Sequence, residues 1–296
     1  MIPVQVKRFS RNPIITPLML GPDGDNINGP CLVCAPGWLR TPLGRYYLYF
    51  AHHRGQYIRL AFADRLEGPW RIHPEGALRL LQTPCGRHIA SPDVHVDQEK
   101  REFLLYFHGD TPAGQSTFLA RSGDGLHFTT ITGALGPYYF RVFWHEGSVY
   151  ALGKGERGML LLHSDSPQGP FEPGPQILPS ARHAGVLKDG DRLWVFFSRT
   201  GDTPERIFVT AMHLAGDWRR WHTTDCIPVL GPEEDCEGAR QPDLPSMPGA
   251  AWGAVKQLRD PFPYREKGRL ILLYALAGEQ GIGAADLSGY TEGEGA

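Results

Sequence analysis

The chain has no run of about 18 apolar residues, the length a membrane-spanning helix requires. It also has no surplus of charge: 30 Lys and Arg stand against 32 Asp and Glu over 296 residues, a formal net charge of -2. Neither a nucleic acid nor a membrane surface is therefore an expected partner. Cysteine is scarce and odd in number, with Cys31, Cys34, Cys85, Cys226 and Cys236 scattered along the chain. That usage suits reduced thiols better than a disulfide framework. Cys31 and Cys34 form a C-x-x-C, but it lies inside an apolar, strand-like run and reads as packing rather than as a redox or zinc pair. Met1 to Arg8 shows no basic segment leading into an apolar one, so a cytoplasmic protein is expected. No segment carries the 3.6-residue apolar period of a capped amphipathic helix. Gly153-Lys154-Gly155 and Gly278 to Gly283 are glycine-rich, yet neither runs from a strand into a helix as a phosphate cradle does, and no serine nucleophile elbow is present.

Turn residues and aromatics are what the chain does have. Glycine (36) and proline (26) punctuate its whole length, and 11% of residues are aromatic. Between the turns lie short apolar runs such as Tyr46 to Phe50, Phe103 to Phe107, Leu193 to Phe197 and Leu270 to Tyr274. Their length and their β-branched and aromatic content mark them as strands.

Laid under one another, these runs repeat at a spacing of roughly 40 to 50 residues, the period of a propeller blade. Five units result, at about 28–75, 89–132, 136–175, 183–225 and 255–290, so the expectation is an all-β, five-bladed β-propeller forming one domain over 1–296. The last unit is one strand short. A propeller removes such an exposed edge by borrowing a strand from the other end of the chain, here from residues near 4–15, which gives closure by an N-terminal strand. The segment from Leu230 to Gly253 is the one long irregular connection, and long loops in compact domains are often functional.

Ser91-Pro92-Asp93-Val94-His95 followed by Phe103-Leu104-Leu105-Tyr106-Phe107, with the endings Glu67-Gly68-Pro69-Trp70 and Gln168-Gly169-Pro170-Phe171, resembles the five-bladed propellers of glycoside hydrolase family 43. Arg259-Asp260-Pro261 resembles the Arg-Asp-Pro triplet of the related fructan-cleaving propellers. The resemblance implies the propeller fold and a sugar-cleaving activity. It implies a base aspartate at the first blade, a pKa-tuning aspartate at the second and an acid glutamate near the third. Only Asp93 matches; Gly29 stands where the base would be and Leu135 where the acid would be.

Glycoside hydrolysis needs one protonated and one ionised carboxyl. In a propeller the starts of the inner strands and the ends of the second strands face the axial funnel. That selects Asp93 and Asp260 as candidate catalytic residues, and the long loop adds Glu237, taken as the acid because a carboxyl desolvated under a loop has its pKa raised. Asn28, His53, His108, Arg141, His183, Arg259 and Glu279 are the candidate substrate-binding residues. Arg259 is suited to hold an anionic group in its planar fork. The expected partner is a small carbohydrate. Twelve histidines could build a divalent-metal site, but no tight ligand spacing supports one, so no cofactor is expected. Three readings remain: a glycoside hydrolase, a sugar lyase or isomerase using His and Arg with or without a metal, and a non-catalytic carbohydrate-binding propeller.

Overall fold

The computed structural model describes residues 5–131 and 133–287. Five antiparallel sheets account for its strands, each built mainly as a meander in which sequence neighbours pair. They are the blades of a five-bladed β-propeller. Among the described residues no helix is long and apolar enough to cross a membrane. Val4, Thr132 and residues 288–290, which the sequence reading places in blades, lie outside the described residues.

The chain divides into two compact units. One, Ile27–Pro179, holds three blades. The first is built from Asn28–Cys34, Tyr46–Ala51, Tyr57–Ala63 and Arg71–Arg79. Ile89–Asp97, Glu102–Thr111 and Gly114–Ser122 form the second, with the short strands Thr129–Thr130 and Gly136–Pro137 on its edge. The third consists of Arg141–His145, Ser148–Gly155, Gly158–Ser164 and Glu172–Ile177. Middle strands such as Tyr46–Ala51 are buried on both faces, which explains why they read as continuous apolar runs rather than alternating ones. Leu104, Tyr106, Phe140, Val142 and Leu162 pack together between the second and third blades. The Cys31 thiol takes the Val94 N–H at 3.1 Å, and burial first, then the charge of Asp93, holds its pKa well above the ordinary thiol value. That agrees with a packed cysteine and not a reactive one.

The other unit joins the residues up to Asn26 to those from Ser180 onward and holds two blades. One is Ala181–Asp189, Arg192–Arg199, Ile207–His213 and Ile227–Leu230. The other is Arg259–Glu266, Arg269–Ala275 and Ile282–Asp286, completed by Lys7–Arg8 from the start of the chain. Lys7 pairs with Asp286 and Arg8 with Ala285, and the Asn12 carboxamide brackets Ala284, accepting its N–H at 2.9 Å and donating to its C=O at 3.0 Å. The expected N-terminal closure is thus present. Between these blades lies a core that includes Trp194, Phe196, Leu258, Leu272 and Tyr274.

One blade boundary needs correction. The Gly-Pro-aromatic endings are turns with cis Gly68-Pro69 and Gly169-Pro170 bonds, and the outer strands begin just after them. The third blade's inner strand starts at Arg141, because Tyr139 takes a left-handed φ of +68° that breaks the extended chain. The fourth blade runs to Leu230, beyond 225, since Asp217 caps a short 3-10 turn over Trp218–Arg220 before the last strand forms.

Four inner strands share one irregularity near their start. Pairing slips by a residue between Asn28 and Cys31, between Ala90 and Asp93, between Ala181 and Ala184, and between Arg259 and Phe262. Each slip is a β-bulge, a device that bends the strand and re-aims a side chain. In three of them a left-handed residue precedes proline: Gly29, Ser91 and Asp260, with φ of +60°, +51° and +49°.

Truncating the chain before Asn12 is expected to leave the edge of Ile282–Asp286 unpaired and to lower the thermal midpoint by at least about 5 °C. Scanning fluorimetry of the truncated and full chains checks it, and equal midpoints would refute the closure.

Candidate functional site

In the two-blade unit, Arg182 lies in the bulge of one inner strand and Arg259 flanks the bulge of the other. Each lies inside the protein, and each faces a carboxylate. Arg259 Nη1 donates to Glu279 Oε1 at 2.8 Å and its Nε lies 3.4 Å from Glu205 Oε2. Arg182 Nη1 lies 3.3 Å from the same Glu205 oxygen. Neutral groups complete the set: Ser198 donates to Glu205 Oε1 at 2.7 Å, Asn26 donates to Glu279 Oε2 at 2.5 Å, and Gln257 Oε1 accepts from Arg259. Both guanidiniums also bond the Gly249 carbonyl, and Arg182 bonds Met247 O at 2.6 Å, so the long loop is pinned to the same network. Burial lifts the Glu205 pKa above the ordinary glutamate value, and the two arginines only partly offset it.

One residue beyond each arginine stands a candidate for chemistry. His183 follows Arg182 and Asp260 follows Arg259, and His183 Nδ1 lies 3.4 Å from Asp260 Oδ1. The Asp260 side chain is only 4% exposed, whereas the His183 side chain keeps 19% exposure. Left-handed backbone at a non-glycine residue costs energy and persists where surrounding structure fixes it, often at functional sites.

Glu237 has a different surrounding from the one its sequence suggested. It is fully buried; Arg8 Nε donates to its Oε1 at 2.8 Å, Tyr274 Oη at 2.8 Å, and the N–H groups of Glu233 and Glu234 reach its Oε2 at 2.9 and 3.1 Å. Burial opposes its charge, but Arg8 and those donors outweigh burial and hold the carboxyl below the ordinary glutamate range. This direction is the opposite of the raised pKa that its place under a loop suggested. Glu237 locks the long loop to the N-terminal strand as a carboxylate. Arg259 and Glu279, both expected to meet substrate, bind each other at 2% exposure.

The three-blade unit gathers a second set. Asp93 is buried, accepts the Val142 N–H at 2.7 Å and the His95 Nε2–H at 3.0 Å. Burial opposes ionisation there, but His95, Arg141 and the Val142 N–H hold the pKa below the ordinary aspartate value. Arg141, 2% exposed, stacks 4.3 Å over the Tyr139 ring and donates to the carbonyls of Ser91, Pro92 and Phe140. It acts as a clamp between strand starts, not as an exposed ligand group. Asn28 is buried where its strand begins. His108 is buried with its Nδ1 lacking a hydrogen-bond partner, and burial, then the charges of His88, Arg141 and His53, pushes its pKa down to about 3. It is a neutral imidazole at any physiological pH. His53 is exposed. His88 Nδ1 lies 3.3 Å from Asp110 Oδ1, whose carboxyl is held low by Arg87 and by the N–H groups of Arg87 and His88 against the effect of burial. Among the described residues no three His, Cys, Asp or Glu side chains are grouped so that they could hold a metal ion.

Asp260 and His183 are therefore brought together, as are Asp93 and Arg141, while Glu237 is engaged elsewhere. Sequence reasoning missed Glu205, Arg182, Gln257 and Asn26. Glu205 follows the Gly-Asp-Thr-Pro stretch of 201–204, which has the look of an exposed turn, and no spacing rule points to it.

Solved structures share this architecture. The β-1,2-mannobiose phosphorylase of Listeria innocua matches with a TM-score of 0.69 at 12% identity, covering 95% of this chain and 96% of that one. The α-L-arabinofuranosidase of Lactobacillus brevis matches at 0.63 and 12%, covering 93% and 92%. A family-43 enzyme of Xanthomonas citri in complex with xylose matches at 0.61 and 13%, covering 92% and 90%. The fold is thus that of the five-bladed family-43 glycoside hydrolases. No family model matches the sequence. By sequence the chain belongs to the family of an uncharacterized protein of Acanthamoeba polyphaga mimivirus, which is 35% identical over 323 aligned positions spanning 95% of this chain and 90% of the viral one.

Glu237→Gln is expected to lower stability at neutral pH and to flatten its acid dependence. A carboxyl with a depressed folded pKa adds stability above its unfolded value, about 4.3 for glutamate, and loses it as pH falls through the folded value. Thermal midpoints of the variant and the parent, followed from neutral pH downward, should therefore converge below about pH 4. Parallel curves would contradict the lock.

Proposed function

We propose that the protein is a carbohydrate-active enzyme that cleaves a small saccharide or glycoside, with Asp260 as the carboxyl that moves the proton and His183 as its partner. The observation that carries this reading is the Asp260 and His183 pair, 3.4 Å apart on adjacent bulged strand starts, with Asp260 held in left-handed backbone beside a buried arginine network. An enclosed carboxyl next to an imidazole is a proton-transfer unit, and positioned proton transfer contributes about 10²–10⁴-fold to rate. Asp93, kept ionised by its surroundings, fits a carboxylate that tunes charge and does not itself change protonation. The likeness in fold to family-43 hydrolases supports a sugar as the substrate.

A second reading has its own support. Of the three carboxyls that the sequence nominates, Glu237 is bound by Arg8, Asp93 by His95 and the Val142 N–H, and Asp260 lies against the His183 imidazole. A single acid suffices when the attacking group is already an anion. In phosphorolysis, inorganic phosphate displaces the leaving sugar, Asp260 protonates the departing oxygen, and the products are a sugar phosphate and the released sugar. The structural likeness to a mannobiose phosphorylase supports this version.

One assay separates the readings. The purified full chain is incubated with aryl glycosides, xylotriose and β-1,2-mannobiose, with and without phosphate. Turnover without phosphate identifies hydrolysis; turnover only with phosphate, yielding a sugar phosphate, identifies phosphorolysis. In either case Asp260→Asn is expected to reduce kcat by about 10²-fold or more. Turnover that survives Asp260→Asn, or no turnover under any condition, would sink the proposal.

A further inference from the structure

In the three-blade unit a cavity of about 510 Å³ has Trp144, His95, Asp97, Gln98, Lys100 and Pro167 among its walls. Its size falls in the range of small-ligand sites, about 300–1,000 Å³. Trp144 is the one exposed member of the strand Arg141–His145, at 37% of its surface. The His95 imidazole meets its ring edge-on, with centroids 4.8 Å apart and planes at 73°. His95 is itself anchored to Asp93 Oδ2 at 3.0 Å. The indole is thus a braced, solvent-facing platform rather than a stray surface residue.

The polar groups of the cavity are held as well. Asp97 Oδ1 accepts the N–H groups of Glu99 and Lys100 at 3.0 and 2.9 Å, which orients the carboxylate. Lys100 Nζ stands 3.7 Å from Asp97 Oδ2, and the Gln98 carboxamide oxygen takes the Trp38 indole N–H at 3.0 Å. That bond turns the Gln98 oxygen toward Trp38 and leaves its NH₂ as the donor end. Acceptor and donors therefore stand beside an aromatic face, and the charges of Asp97 and Lys100 offset one another.

These features select a ligand class. A cation or an anion gains no net attraction from a balanced Asp and Lys pair. A purely apolar ligand would have to strip water from both, at a cost that no new hydrogen bond repays. A neutral polyol with one apolar C–H face meets every requirement: the face stacks on the indole, and adjacent hydroxyls, which both donate and accept, span the carboxylate and the ammonium. We propose that this cavity is a second saccharide-binding site, separate from the Asp260 and His183 pair and built on Trp144.

The chain has seven tryptophans, so full-length protein labelled with 5-fluorotryptophan gives a countable set of ¹⁹F resonances, and Trp144→Phe identifies the one that belongs to Trp144. Xylose, xylotriose and β-1,2-mannobiose are titrated in turn. The expected result is a saturable shift of the Trp144 resonance with at least one of them, undiminished in Asp260→Asn and weakened about tenfold in Lys100→Ala, the loss of one charge-assisted hydrogen bond. A Trp144 resonance that none of the three sugars moves, a shift that vanishes in Asp260→Asn, or one indifferent to Lys100→Ala would each overturn the assignment. Because the readout is local to Trp144 and needs no turnover, failure here is distinguishable from failure of the catalytic reading.

Discussion

Everything in the two-blade unit that bears on chemistry hangs on two buried guanidiniums set against two buried carboxylates. Arg259 reaches Glu279 and Glu205, and Arg182 shares Glu205. Removing four charges from water is expensive, and their mutual attraction repays it only when the remaining hydrogen-bonding capacity is filled. Here it is filled by Ser198, Asn26, Gln257 and the carbonyls of Met247 and Gly249. The network consequently joins both inner strands, the segment before the first blade and the long loop. Deleting any one charged member would strand an uncompensated charge in the interior, at a cost of about 3–5 kcal/mol. The arginines are framework, and the proposed proton-transfer pair are their neighbours in sequence. Arg182 precedes His183 and Arg259 precedes Asp260, so fixing each arginine also fixes the backbone that aims the next side chain.

The same logic recurs in the three-blade unit with different chemistry. Arg141 is pinned by three carbonyls and the Tyr139 ring, and two of those carbonyls belong to Ser91 and Pro92 at the second blade's bulge. Asp93, just beyond, is tied to the first residue pair of the next inner strand through the Val142 N–H. A guanidinium gripping backbone holds one strand start to another, and a carboxylate is set one or two residues away. Where the fold repeats, the side chains that do this job need not. The Cys31 thiol takes the corresponding position in the first blade, bonding Val94 with no charge involved.

How much of this could be read from the chain follows from how local each signal is. The blades were legible because a β-meander is written in neighbouring residues: an apolar run, a turn, another run. Closure by the N-terminal strand followed by counting, since one unit was a strand short. Asp260 and His183 were legible as strand-start residues. Their companions were not. Glu205 meets Arg182 across 23 residues and Glu279 meets Asn26 across 253, and no periodicity encodes a pairing at such distances. Glu237 misled for the same reason. A glutamate in a loop suggests a desolvated acid only if no cation reaches it, and the cation that does, Arg8, lies 229 residues away at the other end of the chain.

The bulges explain why the site sits where it does. A regular strand start would place successive side chains on alternate faces of the blade, so an arginine committed to the interior would leave its neighbour in the opposite sheet face. The extra residue and the left-handed turn at Asp260 break that alternation and allow Arg259 to bury while Asp260 meets His183. Gly29 has the same left-handed backbone before proline, and a side chain added there would meet its nearest atoms at 3.6–3.9 Å, which is ordinary contact. The first blade therefore has space at the position where family-43 propellers carry an aspartate, yet this chain leaves it as glycine. Space alone does not account for that choice, but a left-handed φ of +60° favours glycine, which adopts it without the penalty a side chain would add.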